Sequence, residues 1–348
     1  MRVVKLKKKN LVPFLRKLEE FGEVWGPVKK GDKYVYAHTD PENFDLKALR
    51  TIIPPKKFFV PPKFRMFTFK EDEWNEEIDT KKRILFGLHP CDIHGILILD
   101  KLFLSNYPDP YYKTRRENTA IIGLSCEPDD KCFCKSTNTH SVEEGFDLAL
   151  SDIGNEYLVW IGSSLGDDLQ KMGEDLIDED VTEADIKKYI EWRKKRDGMF
   201  KTDIDLTAMP DIFEISYNSP IWEKLGEYCL SCGQCSMVCP TCNCYDVEDN
   251  YRVGSEIERN RHWDSCMFRE YSLVAGGHNF REARSERLKL FYTHKLAGYM
   301  SIFGKPACVG CGRCADTCPV DINVPNVARA LKGEKVDAIW AKEVKDAG

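Results

Sequence analysis

The sequence predicts an α/β domain over residues 1–210 followed by a mainly α-helical, cysteine-rich domain over residues 211–348. Three observations carry this reading. The apolar runs ILFGL (84–88), AIIGL (120–124) and YLVWIG (157–162) suit buried strands, and DIHGILILDKLF between the first two reads as a crossover helix. Eleven of the fifteen cysteines lie beyond Asp211. The segment between Cys239 and Cys308, 68 residues long, reads largely as helix, as in REARSERLKLFYTHKLAGYM.

The elements follow in order. Asn10 is placed to cap a helix over residues 11–21. After the Lys30-Gly31-Asp32 turn, KYVYAHT alternates as a hairpin strand. The proline-rich IIPPKKFFVPPKF (52–64) is expected to be extended, because each proline fixes its own φ and biases its predecessor away from helix. Residues 178–197 read as an amphipathic helix and a charged linker, a solvated face without functional weight.

Composition excludes several classes. The longest apolar stretch, Ile84 to Leu104, is interrupted by His89, Pro90, Asp92, His94 and Asp100, so no membrane span is expected. The basic N-terminus leads into LVPFLRKLEEFG rather than an apolar core with a cleavage site, which points to the cytoplasm. A net charge of -6 argues against nucleic acid as a partner. Glutamine occurs only at Gln170 and Gln234, a bias of proteins from hot environments that points to a thermophile. An odd, clustered set of cysteines without a secretory signal favours metal ligation over disulfides.

An internal repeat organises those cysteines. Cys229, Cys232, Cys235, Cys239 and Pro240 recur as Cys308, Cys311, Cys314, Cys318 and Pro319, each displaced by 79 positions. Each copy is C-x2-C-x2-C-x3-C-P, in which three close thiolates wrap one 4Fe-4S cube and the fourth reaches the other. Cys229, Cys232, Cys235 and Cys318 are therefore assigned to one cluster, and Cys308, Cys311, Cys314 and Cys239 to the second. Gly233 and Gly312 occupy matching places where backbone N–H groups can approach sulfide. Zinc needs neither the third cysteine nor the Cys-Pro that follows. The helical character of the insert makes the fold class an α/β N-terminal domain followed by a mainly α-helical ferredoxin-like dicluster domain. Where the first copy has Gln234 the second has Arg313, a cation expected to raise the potential of the second cluster unless it turns into solvent.

Seven cysteines lie outside the repeat. Cys91 and Cys126 each follow a strand directly, at the strand ends where α/β sheets place ligands, and Cys132 and Cys134 come soon after. These four make a candidate third metal site. The other course is that HPCD only turns strand into helix, with Asp92 as cap and Cys91 as a small hydrophobe; His94 either supports that site from behind its ligands or is a satisfied core residue, the commoner fate of a lone histidine beside apolar neighbours. Cys242, Cys244 and Cys266 either hold an additional cluster with a non-cysteine ligand such as Asp246 or His262, or are buried thiols; the sequence leaves both open. No G-x-G-x-x-G after a strand and no phosphate-binding P-loop is present, so no nucleotide-binding residue is assigned, and no catalytic residue stands out.

With these residues in place, the chain resembles the beta subunit of soluble, cytoplasmic nickel–iron sulfhydrogenases and, more distantly, one of the subunits of anaerobic sulfite reductases. The resemblance rests on HPCD (89–92), DPYYKTRREN (109–118), CFCKS (132–136), GFDLAL (145–150), CPTCNCYD (239–246), WDSCM (263–267), AGGHNFR (275–281) and CVGCGRCADTCP (308–319). It implies a heterotetramer. A gamma subunit with flavin (FAD) and a 2Fe-2S cluster exchanges hydride with NADP(H) or NAD(H), this chain passes single electrons, and a delta subunit relays them to the nickel–iron alpha subunit. It also implies a role of the complex in reducing sulfur or polysulfide. The expected function is thus a non-catalytic electron-transfer subunit of a hydrogenase. The alternatives are the same wire in a sulfite reductase or other NAD(P)H-linked reductase, and a redox-silent metal-binding scaffold.

Overall fold

The computed structural model describes residues 2–71, 73–251 and 256–342. In chain order the elements are β1 (Arg2–Lys7), α1 (Leu11–Lys17), β2 (Glu23–Lys30), β3 (Lys33–His38), β4 (Lys63–Lys70), β5 (Glu73–Glu76), β6 (Arg83–Leu88), α2 (Pro90–Phe103), α3 (Pro110–Glu117), β7 (Thr119–Leu124), β8 (Leu148–Asp152), β9 (Glu156–Ile161), α4 (Ser164–Met172), β10 (Ile177–Asp178) and α5 (Glu183–Asp197). Beyond these lie α6 (Met209–Ile215), α7 (Ile221–Tyr228), α8 (Gln234–Met237), β11 (Tyr245–Asn250), β12 (Ile257–Trp263), α9 (Arg284–Thr293), α10 (Tyr299–Phe303), α11 (Arg313–Thr317), α12 (Val324–Leu331) and α13 (Ile339–Lys342). Among the described residues, no helix is long and apolar enough to cross a membrane.

The first sheet has the order β10-β1-β9-β8-β7-β6-β2-β3, with β2, β6, β7 and β8 parallel and the remaining neighbours antiparallel. Every residue of β7 is buried because helices cover both faces. Ile84, Phe86, Ala120 and Ile122 pack with α1 and α4 on one side, while Leu85, Ile121 and Leu88 pack with α2 and α3 on the other. Gly87, at φ +80°, sits at a register shift between Phe86 and Leu88, which re-aims the end of β6 just before His89.

Three local expectations need correction. Asn10 makes no capping hydrogen bond; its side-chain amide instead donates to the Leu176 carbonyl, and the helix stops at Lys17 before a 3-10 turn. The proline-rich run is not extended throughout, since Pro55–Phe58 form a 3-10 turn with Pro55 at its first position, where no N–H is needed. The C-terminal segment is not helical throughout either. It contributes β11 and β12 to a second antiparallel sheet, ordered β11-β12-β4-β5, so strands nearly two hundred residues apart pair directly. The helices pack around Trp222, Leu225, Leu288, Phe291, Tyr292, Val327 and Trp340, a core that also takes in Phe133 from the first part of the chain. Helix α2 lies against both parts: a Cβ at Gly95 would come within 2.9 Å of Pro240, and Ile98 packs with Tyr299, Ala307 and Val309.

Candidate metal centres

The repeat is visible in the backbone. Gly233 and Gly312 open helices α8 and α11 at φ +71° and +75°, and the residues two before them, Ser231 and Gly310, are also left-handed, at +51° and +61°. These turns curl each loop so that its thiols face inward. Cys229, Cys232, Cys235 and Cys318 line one cavity, so the fourth thiol comes from the other copy, and the Ser231 N–H points to Cys229 Sγ at 3.4 Å. Cys239 in turn lies close enough to Cys308, Cys311 and Cys314 for its charge to act on each. Burial raises the pKa of these three thiols, that of Cys314 to about 12, and Cys235 feels Cys314 most of all its charged neighbours. Buried thiols of this kind ionise when a metal supplies the positive charge, and soft thiolate sets suit iron–sulfur clusters. Among the described residues, no three of His, Cys, Asp and Glu form a group that could hold a single metal ion.

A third group of thiols meets at the sheet edge. The parallel pairing of β6 and β7 brings Cys91, in the first turn of α2, beside Cys126, and both line one cavity with Cys132 and Cys134. The loop carrying the last two is held by Asp129, which accepts the N–H groups of Lys131 and Cys132 and pairs with Arg50. Arg50 also donates to Cys132 Sγ at 3.2 Å. The loop then docks on the second motif through Phe133 N–H to Gly310 O (2.9 Å) and Thr139 Oγ1 to Val309 O (2.7 Å). Cys311 lines the same cavity, so this group adjoins the second four-thiol set.

His89 shows an unusual charge state for a buried histidine. Its Nδ1 and Nε2 face the carbonyls of Leu124 (2.9 Å) and Ala48 (3.0 Å), which only accept, so both nitrogens carry protons. Burial opposes that charge, but Cys126 and the Leu124 carbonyl outweigh it and raise the pKa to about 9. His94 gives a hydrogen bond to Ser141 O at 2.8 Å and does not line the thiol cavity.

Arg313 does not turn into solvent. It is 3% exposed and bidentate to Asp92 at 2.7 and 3.1 Å, with its Nε donating to Thr51 O. Asp92 is thus an ionic partner across the two parts of the chain rather than a free helix cap. Its carboxylate offsets the cation that the sequence sets beside Cys311. Sequence reading missed this pair, His89 and Arg50, since nothing local marks partners 221 positions apart in the first case and 35 to 82 in the others.

Cys242, Cys244 and Cys266 are brought together by the second sheet. Cys266 and Tyr271 lie near enough to Cys244 to act on its charge, and Cys242 lies against Cys239. Asp246 and His262 face each other across β11 and β12, with Asp246 exposed.

The fold and the thiol sets point to the class, a protein with an iron–sulfur domain: residues 228–322 match the 4Fe-4S dicluster domain family. Over 323 residues, 92% of this chain and 96% of the relative, the sequence is 43% identical to sulfhydrogenase 2 subunit beta of Pyrococcus furiosus, and the chain belongs to this family of sulfhydrogenase beta subunits. No solved structure matches the chain.

Proposed function

We propose that the chain is the non-catalytic electron-transfer subunit of a cytoplasmic nickel–iron hydrogenase, relaying single electrons between a flavin (FAD) subunit that uses NAD(P)H and the hydrogenase subunits. Cys229, Cys232, Cys235 and Cys318 hold one 4Fe-4S cluster, Cys308, Cys311, Cys314 and Cys239 the second, and Cys91, Cys126, Cys132 and Cys134 a third. The observation that carries this reading is the contiguity of the three thiol sets: Cys235 neighbours Cys314, and Cys311 neighbours Cys91 and Cys134. Bound clusters would supply one-electron redox steps, while the protein excludes water and fixes their spacing. The relative's name, a sulfhydrogenase subunit, fits this role and extends the proposal to sulfur reduction by the complex.

The test is anaerobic purification with the natural partners, followed by metal and flavin analysis and reduction under hydrogen. About twelve irons per chain, nickel and flavin on other subunits, and bleaching of this chain's clusters by hydrogen are expected. Zinc in place of iron, or siroheme instead of nickel on the large partner, would overturn it.

A further inference from the structure

Cys239, the thiol that crosses from the first motif to the second set, meets a buried cation there. Lys295, 6% exposed, lies in a π-helical turn (His294–Gly298) between α9 and α10, a feature frequent at functional sites. Its ammonium donates to Cys239 Sγ and Cys242 Sγ, both at 3.3 Å, and to Thr241 Oγ1 at 2.9 Å. The Thr241 hydroxyl gives its own proton to the Ala307 carbonyl, so toward Lys295 it accepts. Three acceptors thus take the three N–H groups of an ammonium, and none of them is a carboxylate. The main chain is fixed as well: the Lys295 carbonyl accepts from the N–H of Ala307 at 2.9 Å, one residue before Cys308. Lys295 therefore grips the second set twice, at Cys239 through its side chain and beside Cys308 through its backbone.

The other charges near this set are placed differently. Arg313, the cation beside Cys311, is offset by the Asp92 carboxylate. Lys56 donates to the carbonyls of Cys242 (2.8 Å) and Ser236 (3.3 Å) rather than to a ligand sulfur. At Cys318, the matching thiol of the first set, it is the backbone N–H groups of Val320 and Ile322 that favour the thiolate. A cation hydrogen-bonded to a ligand sulfur favours the reduced form of a cluster, which carries one more negative charge than the oxidised form. We propose that Lys295 is the positioning residue that sets the potential of the second-motif cluster, holding Cys239 in place as its fourth ligand and favouring its reduced state. The proposal rests on the reading of the chain as an iron–sulfur electron carrier.

The full complex, purified without oxygen, is compared with its Lys295→Met form by redox titration followed by EPR, the second-motif signal being the one lost in Cys239→Ser. At fixed potential the reduced-to-oxidised ratio of that cluster should fall about tenfold in the methionine form, near 59 mV for one electron, while the other signals move less. Lys295→Arg, which keeps the charge and the donors, should retain most of the parent ratio. An unchanged second-motif ratio, an equal shift of every cluster, or an arginine form shifted as far as the methionine form overturns the proposal. Should Lys295→Met lose the cluster, Lys295→Gln, whose amide donates to sulfur without charge, takes its place in the titration with the same expectation. Irons lost from the glutamine form but kept in the arginine form would support the proposal, and irons lost from both would make Lys295 a packing element and overturn it. Fewer than about eight irons in the unaltered chain overturns the underlying reading instead.

Discussion

The two copies of the cysteine motif share a backbone and differ in everything around it. In the first, Leu230 is 61% exposed and Cys232 and Gln234 reach the surface. In the second, the equivalent Val309 is 2% exposed and Arg313 is buried against Asp92. The loop of Phe133 and Cys134 covers the second copy and leaves the first open. One repeated unit thereby has an open copy and a covered copy, which the proposed function makes the outward and inward ends of a redox path.

The crossing of the fourth ligand gives the largest expected effect. Because Cys239 lies among Cys308, Cys311 and Cys314, Cys239→Ser should perturb the second-motif cluster and spare the one nearest in sequence. EPR resolves the two by their spectra; loss of the first-motif signal alone would break the comparison.

Next comes the buried pair that anchors the inward copy. Arg313→Gln leaves Asp92 buried without its partner and should cost about 3–5 kcal/mol in denaturant unfolding. Asp92→Asn has a second readout. With its carboxylate gone, the cation beside Cys311 is no longer offset, and the second-motif cluster should titrate at higher potential. A potential that does not move would show that Arg313 acts on the fold alone.

The left-handed turn sharpens the contrast. Ser231 holds its copy's turn at φ +51° with its Oγ accepting from Arg287 at 3.1 Å, whereas a Cβ at Gly310 would stand 2.4 Å from the backbone nitrogen of Cys134. Gly310→Ser, which gives the second copy the residue of the first, should therefore destabilise by about 2–4 kcal/mol. The reciprocal Ser231→Gly should stay within about 1 kcal/mol. Thermal unfolding of both variants checks the asymmetry, and equal costs would refute it.

What the sequence revealed follows the range of the signal. The repeat is local and periodic, and the apolar runs of β6 and β7 mark buried parallel strands, so the meeting of Cys91 with Cys126 was foreseeable. The second sheet was not, because YDVEDN and IERNRHW carry no apolar alternation and their partner β4 lies far away in sequence. Nothing in the sequence distinguishes Lys56 and Lys295 from the other lysines. Only folding shows that Lys295 donates to the sulfurs of Cys239 and Cys242 and Lys56 to the Cys242 carbonyl.

The smallest effect is expected where the outward copy is given the inward copy's charge. Gln234 is exposed, so an arginine there has no carboxylate to meet and keeps its hydration, unlike Arg313. Gln234→Arg should leave stability within about 0.5 kcal/mol of the parent. Any rise in the first-motif potential should be small and should shrink further at high salt, since the Debye length falls from about 10 Å at 0.1 M to about 3 Å at 1 M. Redox titration at the two salt concentrations measures this. A large, salt-independent shift would mean that the first cluster is as secluded as the second, and the distinction between an open and a closed end of the path would fall.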